Sequence, residues 1–263
     1  MRTLLLTSML FVSFSCIAVA ENTNGQPITI TADQSLEWYR NDLFFKAVKN
    51  VNVTQGETTL ISNTLIAKYR EGNSKNIDIY NIEAKGSVKI ISRNTKAYGD
   101  KAIYNVDKGY AVMTGKTLRL VSDNQTVTAQ DKFQYWIDKG RLEALGNATA
   151  VREGDTLVAD KLVAIFIKNA NGKQVLDQLE AIGNVVITTP DEVLKGKNAV
   201  YRAQTNIAEL TDNVTITRGP NILKGAKAQV NLKTNISKIF GSSDGKAAGR
   251  VKGVFFPGAE KKP

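Results

Sequence analysis

The sequence predicts an all-β protein on three observations. Turn signals arrive about every 8 to 12 residues, apolar positions alternate with period 2 between them, and no window of about 11 residues keeps the i, i+3, i+4, i+7 stripe of a helix. β-Branched residues and Gly interrupt each helical attempt. The spacing suits a sandwich, a barrel or a stacked β-roll with on the order of 20 strands.

In chain order the pattern is a turn pair followed by alternation. It reads Asn50-Val51-Asn52-Val53, Gly86-Ser87-Val88-Lys89-Ile90 and Gly115-Lys116-Thr117-Leu118, then Gly146-Asn147-Ala148-Thr149-Ala150, Gly183-Asn184-Val185-Val186-Ile187 and Asp212-Asn213-Val214-Thr215-Ile216. Gly or Asn supplies the positive φ of a tight turn. Period 2 then sets Val88 with Ile90, and Val185 with Ile187, on one strand face. A second motif, Ala-x-aromatic, recurs as Ala67-Lys68-Tyr69, Ala102-Ile103-Tyr104, Ala164-Ile165-Phe166 and Ala199-Val200-Tyr201.

The chain matches itself at an offset of 97. Ala47 falls on Ala144, Leu60 on Leu157, Gly86 on Gly183, Ile90 on Ile187, Ala102 on Ala199 and Tyr104 on Tyr201. From Ala32 to Ala129 there are 19 identities in 98 positions, several times the roughly 6 to 7 percent that average residue usage gives. A fixed period marks one structural unit used twice. The units are expected at about 32–128 and 129–225, with a partial third beyond, inside a β-region covering 21–240. Gly241-Ser242-Ser243-Asp244-Gly245 has linker composition and opens a basic flexible tail, 241–263, whose apolar island Val251 to Phe256 either adds a last strand or stays mobile.

Composition removes several function classes. The 263 residues include no His and one Cys, Cys16. Residues 1–20 carry Arg2, an apolar run and Ala18-Val19-Ala20, the pattern of a cleaved signal peptide more than of a retained anchor. Cleavage there takes Cys16 away, so disulfides, thiolate nucleophiles and Cys/His zinc sites are excluded. With 35 Lys and Arg against 25 Asp and Glu, losing Arg2 leaves 34 − 25 = +9. That charge favours an anionic partner, and export argues against nucleic acid.

Chemistry motifs are absent. Gly109 to Thr117 approaches a phosphate-binding loop, but five residues separate Gly109 from Gly115 and the segment continues a strand pattern. The Asn-x-Ser/Thr matches at Asn52, Asn124, Asn147, Asn213 and Asn235 follow from turn Asn entering Thr-rich strands. Asp155 with Asp160, or Asp191 with Glu192, could form an acid/base or metal pair, yet one period away stand Thr58 with Asn63, and Asn94 with Thr95. No enzyme activity, cofactor or metal is expected.

Gln26-Pro27-Ile28-Thr29-Ile30-Thr31-Ala32-Asp33-Gln34-Ser35-Leu36, then Val48 to Gly56, then Asn63 to Tyr69, resemble the start of the LptA/OstA family. The resemblance runs from about Gln26 to about Thr234. It implies a stacked two-sheet β-jellyroll (OstA-like) with an open groove, built here from the 97-residue duplication. It also implies a periplasmic bridge that binds lipopolysaccharide and carries its acyl chains from an inner-membrane complex to an outer-membrane translocon. Acyl contacts would come from the inward positions Ile28, Ile30, Val51, Val53, Val88, Ile90, Ala102, Tyr104, Val185, Ile187, Ala199 and Tyr201. The same alternation would also give a fully packed interior, and a secreted structural β-repeat without lipid cargo is the alternative function.

Open stacks end in strands with unpaired N–H and C=O groups. The first edge is expected in Pro27 to Leu36, at Ile30, and the last in Ala226 to Phe240, at Val230 and Leu232. An inner-membrane-anchored jellyroll partner would meet the N-terminal edge and the translocon's jellyroll domain the C-terminal edge, with head-to-tail self-association between copies. About ten strands in each sheet would span on the order of 50 Å.

Overall fold

The computed structural model describes residues 27–72, 76–170, 172–234, 236–242 and 249–256. The expected signal segment, 1–20, lies outside them.

Two short strands open the chain, β1 (Thr29–Thr31) and β2 (Ser35–Tyr39). Four long strands follow, β3 (Phe44–Gln55), β4 (Thr58–Glu71), β5 (Ile77–Ser92) and β6 (Thr95–Asn105). Four short ones stand mid-chain, β7 (Tyr110–Thr114), β8 (Leu118–Ser122), β9 (Gln125–Ala129) and β10 (Lys132–Trp136). Six long strands repeat the pattern: β11 (Arg141–Arg152), β12 (Asp155–Lys168), β13 (Gln174–Thr188), β14 (Val193–Arg202), β15 (Ile207–Arg218) and β16 (Asn221–Asn231). β17 (Ile236–Phe240) and β18 (Lys252–Val254) complete the described strands. All pairings are antiparallel, and no α-helix occurs among the described residues.

Each long strand belongs to two sheets. The ladder between β4 and β5 runs Thr58↔Ser92 to Ile61↔Lys89, breaks, and resumes at Thr64↔Lys85. Equivalent breaks interrupt β3/β4, β5/β6, β11/β12, β12/β13, β13/β14, β14/β15 and β15/β16. One hydrogen-bond network is thereby folded into two layers. The first sheet runs β1-β3-β4-β5-β6-β8-β9-β11-β12-β13-β14-β15-β16-β18. The second runs β2-β3-β4-β5-β6-β7-β10-β11-β12-β13-β14-β15-β16-β17.

Five of the six sites read from sequence as tight turns are these breaks, whereas Gly115-Lys116 does lie in the connection between β7 and β8. Lys49 and Asn50, Gly86 and Ser87, Gly146 and Asn147, Gly183 and Asn184, and Asp212 and Asn213 all have positive φ in mid-strand. Two successive left-handed residues make a bulge that redirects the strand from one sheet to the other without ending it. Small side chains fill the apex beside the breaks: Ala47, Val51, Ala84, Val88, Ala148, Val185 and Val214 are all buried. Since each long strand serves both sheets, each sheet has fourteen strand segments where about ten were expected. At about 4.8 Å between neighbours the stack spans about 60 Å, longer than the length expected from sequence.

The C-terminal edge is also placed differently. Val230 pairs with Ser237 of β17 and is itself 6% exposed, and the Leu232 N–H donates to the Asn206 carbonyl at 2.8 Å. Neither Val230 nor Leu232 is an edge position. Among the described residues the free edges are β17 in the second sheet and β18 in the first, where Lys252–Val254 pairs with Ile222–Lys224. At the other end, among the described residues, β1 and β2 each pair with β3 alone, which puts Ile30 on an edge strand.

Candidate functional site

The inner faces of the two sheets enclose apolar space. A cavity of about 140 Å³ lies between Val53, Leu60, Ile90, Ala97 and Leu120 of the first sheet and Ile82, Ala102, Tyr104, Ala111, Met113, Phe133, Tyr135 and Leu142 of the second, walled mostly by the first unit and closed by the start of the second. A second cavity, of about 50 Å³, lies between Leu157, Ile187 and Leu194 and, facing them, Leu179, Ala181, Ala199, Tyr201, Ala208, Leu210 and Val230.

The two cavities are copies. Adding 97 converts Leu60, Ile82, Ile90, Ala97, Ala102, Tyr104, Ala111 and Met113 into Leu157, Leu179, Ile187, Leu194, Ala199, Tyr201, Ala208 and Leu210. Side chains differ in both directions: Ala97 gives way to the larger Leu194, whereas Phe133 and Tyr135 give way to the smaller Val230 and Leu232. A third apolar depression opens at the N-terminal end of the stack, lined by Ile28, Ile30, Leu36, Phe45, Ile77 and Ile79.

The positions singled out in the sequence therefore divide into three groups. Val53, Ile90, Ala102, Tyr104, Ile187, Ala199 and Tyr201 line the cavities. Val51, Val88 and Val185 are 0%, 1% and 1% exposed at the apex, packed against neighbours and away from the cavity walls. Ile28 and Ile30 lie in the N-terminal depression. Alternation placed all of them inward, but it does not tell the apex from the wall. The walls contributed by Met113, Phe133, Tyr135, Leu142 and Leu179 were missed, although the 97-residue period and the same alternation could have found them.

Burial, with the nearby charge of Asp138, pushes the Tyr104 phenol up, and burial alone does so for Tyr201. The carboxylates of Asp155 and Asp160 stand apart. Asp160 accepts hydrogen bonds from Asn184 Nδ2 at the apex, whereas Asp155 sits at the opposite end of its half-strand. The described residues hold no group of three or more His, Cys, Asp or Glu arranged to bind a metal.

Beyond the apolar wall, the inner face of the first sheet ends in a polar row beside the hairpin turns. Register sets Gln55 opposite Thr58, Thr58 opposite Ser92, Ser92 opposite Thr95 and Thr95 opposite Ser122. The row continues from Ser122 to Gln125, Gln125 to Arg152 and Arg152 to Asp155. Two residues inward along the same strands stand Val53, Leu60, Leu120, Val127, Ala150 and Leu157, so the row shares their face. Ser92, Thr95, Ser122, Gln125 and Asp155 are buried, and Thr58 Oγ1 lies 3.3 Å from Ser92 Oγ.

The outer face of the second sheet carries neutralised carboxylates. Glu83 meets Lys101 at 2.8 Å and Lys85 at 3.0 Å, and Glu209 meets Lys227 at 2.8 Å. Glu143 meets Arg141 at 2.8 Å and Lys161 at 3.0 Å. Hydrogen bonds to these cations hold Glu83 and Glu209 below the usual range; for Glu143 burial opposes the shift, and its two cations outweigh it.

Comparison with known proteins matches the chain twice to one family. The family described as "LptA/(LptD N-terminal domain) LPS transport protein" matches residues 29–131 and again 126–236. The two matches begin 126 − 29 = 97 residues apart, the period of the duplication. No curated protein matches. Among solved structures, similarity extends to LptH of Pseudomonas aeruginosa, described as the LptA-homologous periplasmic component of the conserved lipopolysaccharide transport device. It is 15% identical, over 88% of this chain and 96% of that one, with a TM-score of 0.22. The family match spans both copies of the unit and the cavities between their sheets, and the chain belongs to the LptA/LptD N-terminal-domain family of lipopolysaccharide transport proteins.

Proposed function

We propose that the chain is a periplasmic bridge that shields lipopolysaccharide acyl chains between its two sheets on their way from an inner-membrane complex to an outer-membrane translocon. The observation that carries this reading is the repeated apolar cavity, two copies 97 residues apart on one axis, within a family of lipopolysaccharide transport proteins. Burying acyl methylenes there gains about 0.8 kcal/mol each. The larger cavity, about 140 Å³, has room for only a few water molecules at about 30 Å³ each. Acyl chains would therefore enter as the two sheets part along their hairpin ends, with the bulged apex as the hinge line. The acyl-contact role falls to Val53, Ile90, Ala102, Tyr104, Ile187, Ala199 and Tyr201, with Ile28 and Ile30 at the entrance.

Both ends of the stack support assembly. Leu36 and Trp38 are 54% and 48% exposed on β2, and Ile236 and Phe255 are 54% and 69% exposed beside β17 and β18. Unpaired edges flanked by apolar side chains suit strand addition, either to another copy or to jellyroll partners at each membrane. The +9 charge expected after signal cleavage suits an anionic glycolipid. Isolation of the chain from a Gram-negative periplasm, followed by mass spectrometry of bound lipid, tests the proposal. Stoichiometric lipopolysaccharide is expected, and a chain free of lipid would favour a structural β-repeat.

A further inference from the structure

In the first unit the polar row contains Gln55 and Thr58. At the same two places in the second unit stand Arg152 and Asp155, since 55 + 97 = 152 and 58 + 97 = 155. A half-buried guanidinium and a buried carboxylate replace an amide and a hydroxyl, at a cost in desolvation that only good pairing offsets. They do not pair with each other among the described residues. The Arg152 ion pair is with Glu153, at 3.9 Å, and Arg152 Nη1 and Asp155 Oδ1 have no hydrogen-bond partner. Gln125 Nε2, next in the row, has none either. Gln125 and Asp155 are 5% and 4% exposed, so bulk water does not reach them freely.

These three side chains project from adjacent strands, β9, β11 and β12, in register. Cross-strand neighbours of this kind have Cβ atoms about 4.5 to 5.5 Å apart. The result is two unpaired donors and one unpaired acceptor at the inner rim, just beyond the apolar wall. A phosphate would satisfy the donors but meet the carboxylate of Asp155. An ester carbonyl would satisfy the donors and leave Asp155 Oδ1 unmet. A neutral group that both accepts and donates satisfies all three.

We propose that Gln125, Arg152 and Asp155 form a polar anchor at the rim of the second unit that binds a neutral donor–acceptor group, a secondary amide or a hydroxyl, at the head of an acyl chain. The proposal rests on the acyl-chain reading above and adds what fixes the chain's depth and register in the groove. Burial, helped by Glu153 and opposed by Arg152, raises the Asp155 carboxyl, consistent with a carboxylate waiting for a donor. The first unit, with its neutral row, would let chains slide, whereas the second would hold them.

Calorimetric titration with four probes of equal chain length tests this: N-methyldecanamide, 1-decanol, methyl decanoate and decyl phosphate. The intact chain should bind the amide and the alcohol roughly tenfold more tightly than the ester, the scale of one or two buried hydrogen bonds. The double variant Arg152→Gln, Asp155→Thr installs what the first unit carries at these places. It should lose the preference for amide and alcohol over ester. Equal affinity for all four probes would mean that water alone meets these groups, and a preference surviving in the variant would place it elsewhere; either overturns the anchor. Tightest binding of decyl phosphate would replace it with an anion site. If no probe binds either protein, the acyl-chain reading itself fails, an outcome distinct from ester binding without preference.

Discussion

Asn184 Nδ2 donates to both carboxylate oxygens of Asp160, at 2.9 and 3.1 Å, across the register break that turns β13 from one sheet into the other. The contact fills the space over Gly183, which has a φ of +78°, and a Cβ there would collide with the same carboxylate. The apex is thus fixed by a backbone conformation and a side-chain lock at one point. Asn198 Nδ2 to Asp212 Oδ2 at 3.2 Å, and Asn50 Nδ2 to Asp33 Oδ2 at 2.6 Å, repeat the arrangement at other breaks.

Replacing Gly183 should therefore cost more than its φ alone explains. Gly154 has a φ of +95° in a hairpin with no atom near the Cβ position, so Gly154→Ala reports the conformational strain by itself. Gly183→Ala adds the collision with Asp160 and should be less stable than Gly154→Ala by about 1–3 kcal/mol. Urea unfolding midpoints of the two variants decide this, and equal values would remove the lock from the account.

The unequal cavities lead to a paired exchange. Ala97→Leu gives the first unit the side chain of the second and should lower bound lipid per chain. Leu194→Ala should raise it at a cost of about 2–4 kcal/mol in stability, since Leu194 is buried. Lipid per chain after reconstitution, set beside the unfolding midpoints, separates the two effects. Parallel changes in both variants would mean that cavity size does not govern occupancy.

Acid should weaken the outer face of the second sheet. The carboxyl of Glu143 is held below its ordinary value of 4.5, so its contribution is complete above that value and is lost as pH falls through the lower, folded-state value. Lys161→Met leaves this buried carboxylate with Arg141 alone and should cost about 1–3 kcal/mol at neutral pH. The deficit should narrow in acid. Asp155 has the opposite sign: its raised carboxyl costs stability as pH rises above 3.8. Asp155→Asn should therefore stabilise most at neutral pH and not at all below that value. Thermal unfolding of both variants from neutral to acid pH reads the two slopes, and equal signs would contradict the assignment.

Free edges make β17 the place to interrupt assembly. Alternate residues of an edge strand turn their N–H away from the sheet, so of Ser237 and Lys238 one accepts Pro without losing a ladder bond. That variant should keep its unfolding midpoint and lose concentration-dependent association in sedimentation. Association intact in both Pro variants would exclude β17 as the contact.

Much of this architecture was legible because period 2 and the 97-residue duplication are set by side-chain chemistry. Val53 lies inward as its alternation with Asn52 and Thr54 requires, and Ile90 and Tyr104 share the inward phase of Val88 and Ala102. What misled was local: Gly183-Asn184 carries the same positive-φ signal whether it closes a hairpin or bulges a strand, and only pairing with the neighbouring strand distinguishes them. That ambiguity hid the sharing of strands between sheets and shortened the expected stack. Val230 was taken for an edge because nothing in Ile236 to Phe240 alone announces a strand that covers it. The polar row escaped for another reason. Gln125, Arg152 and Asp155 sit beside hairpin turns, where polar residues are expected to face water, and only the fold shows Gln125 and Asp155 buried and Arg152 half-buried beside them.

The central claim is that acyl chains lie between the sheets, and opposite faces of one strand test it directly. Ile90 lines the first cavity, whereas its neighbour Lys89 points outward, with Nζ 5.7 Å from the Tyr98 ring centroid. A photoreactive amino acid at Ile90, and at its counterpart Ile187, should crosslink to lipopolysaccharide in the periplasm, and one at Lys89 should not. Equal crosslinking at 89 and 90, or crosslinking at 89 alone, would contradict the account and place the lipid on the outside of the stack.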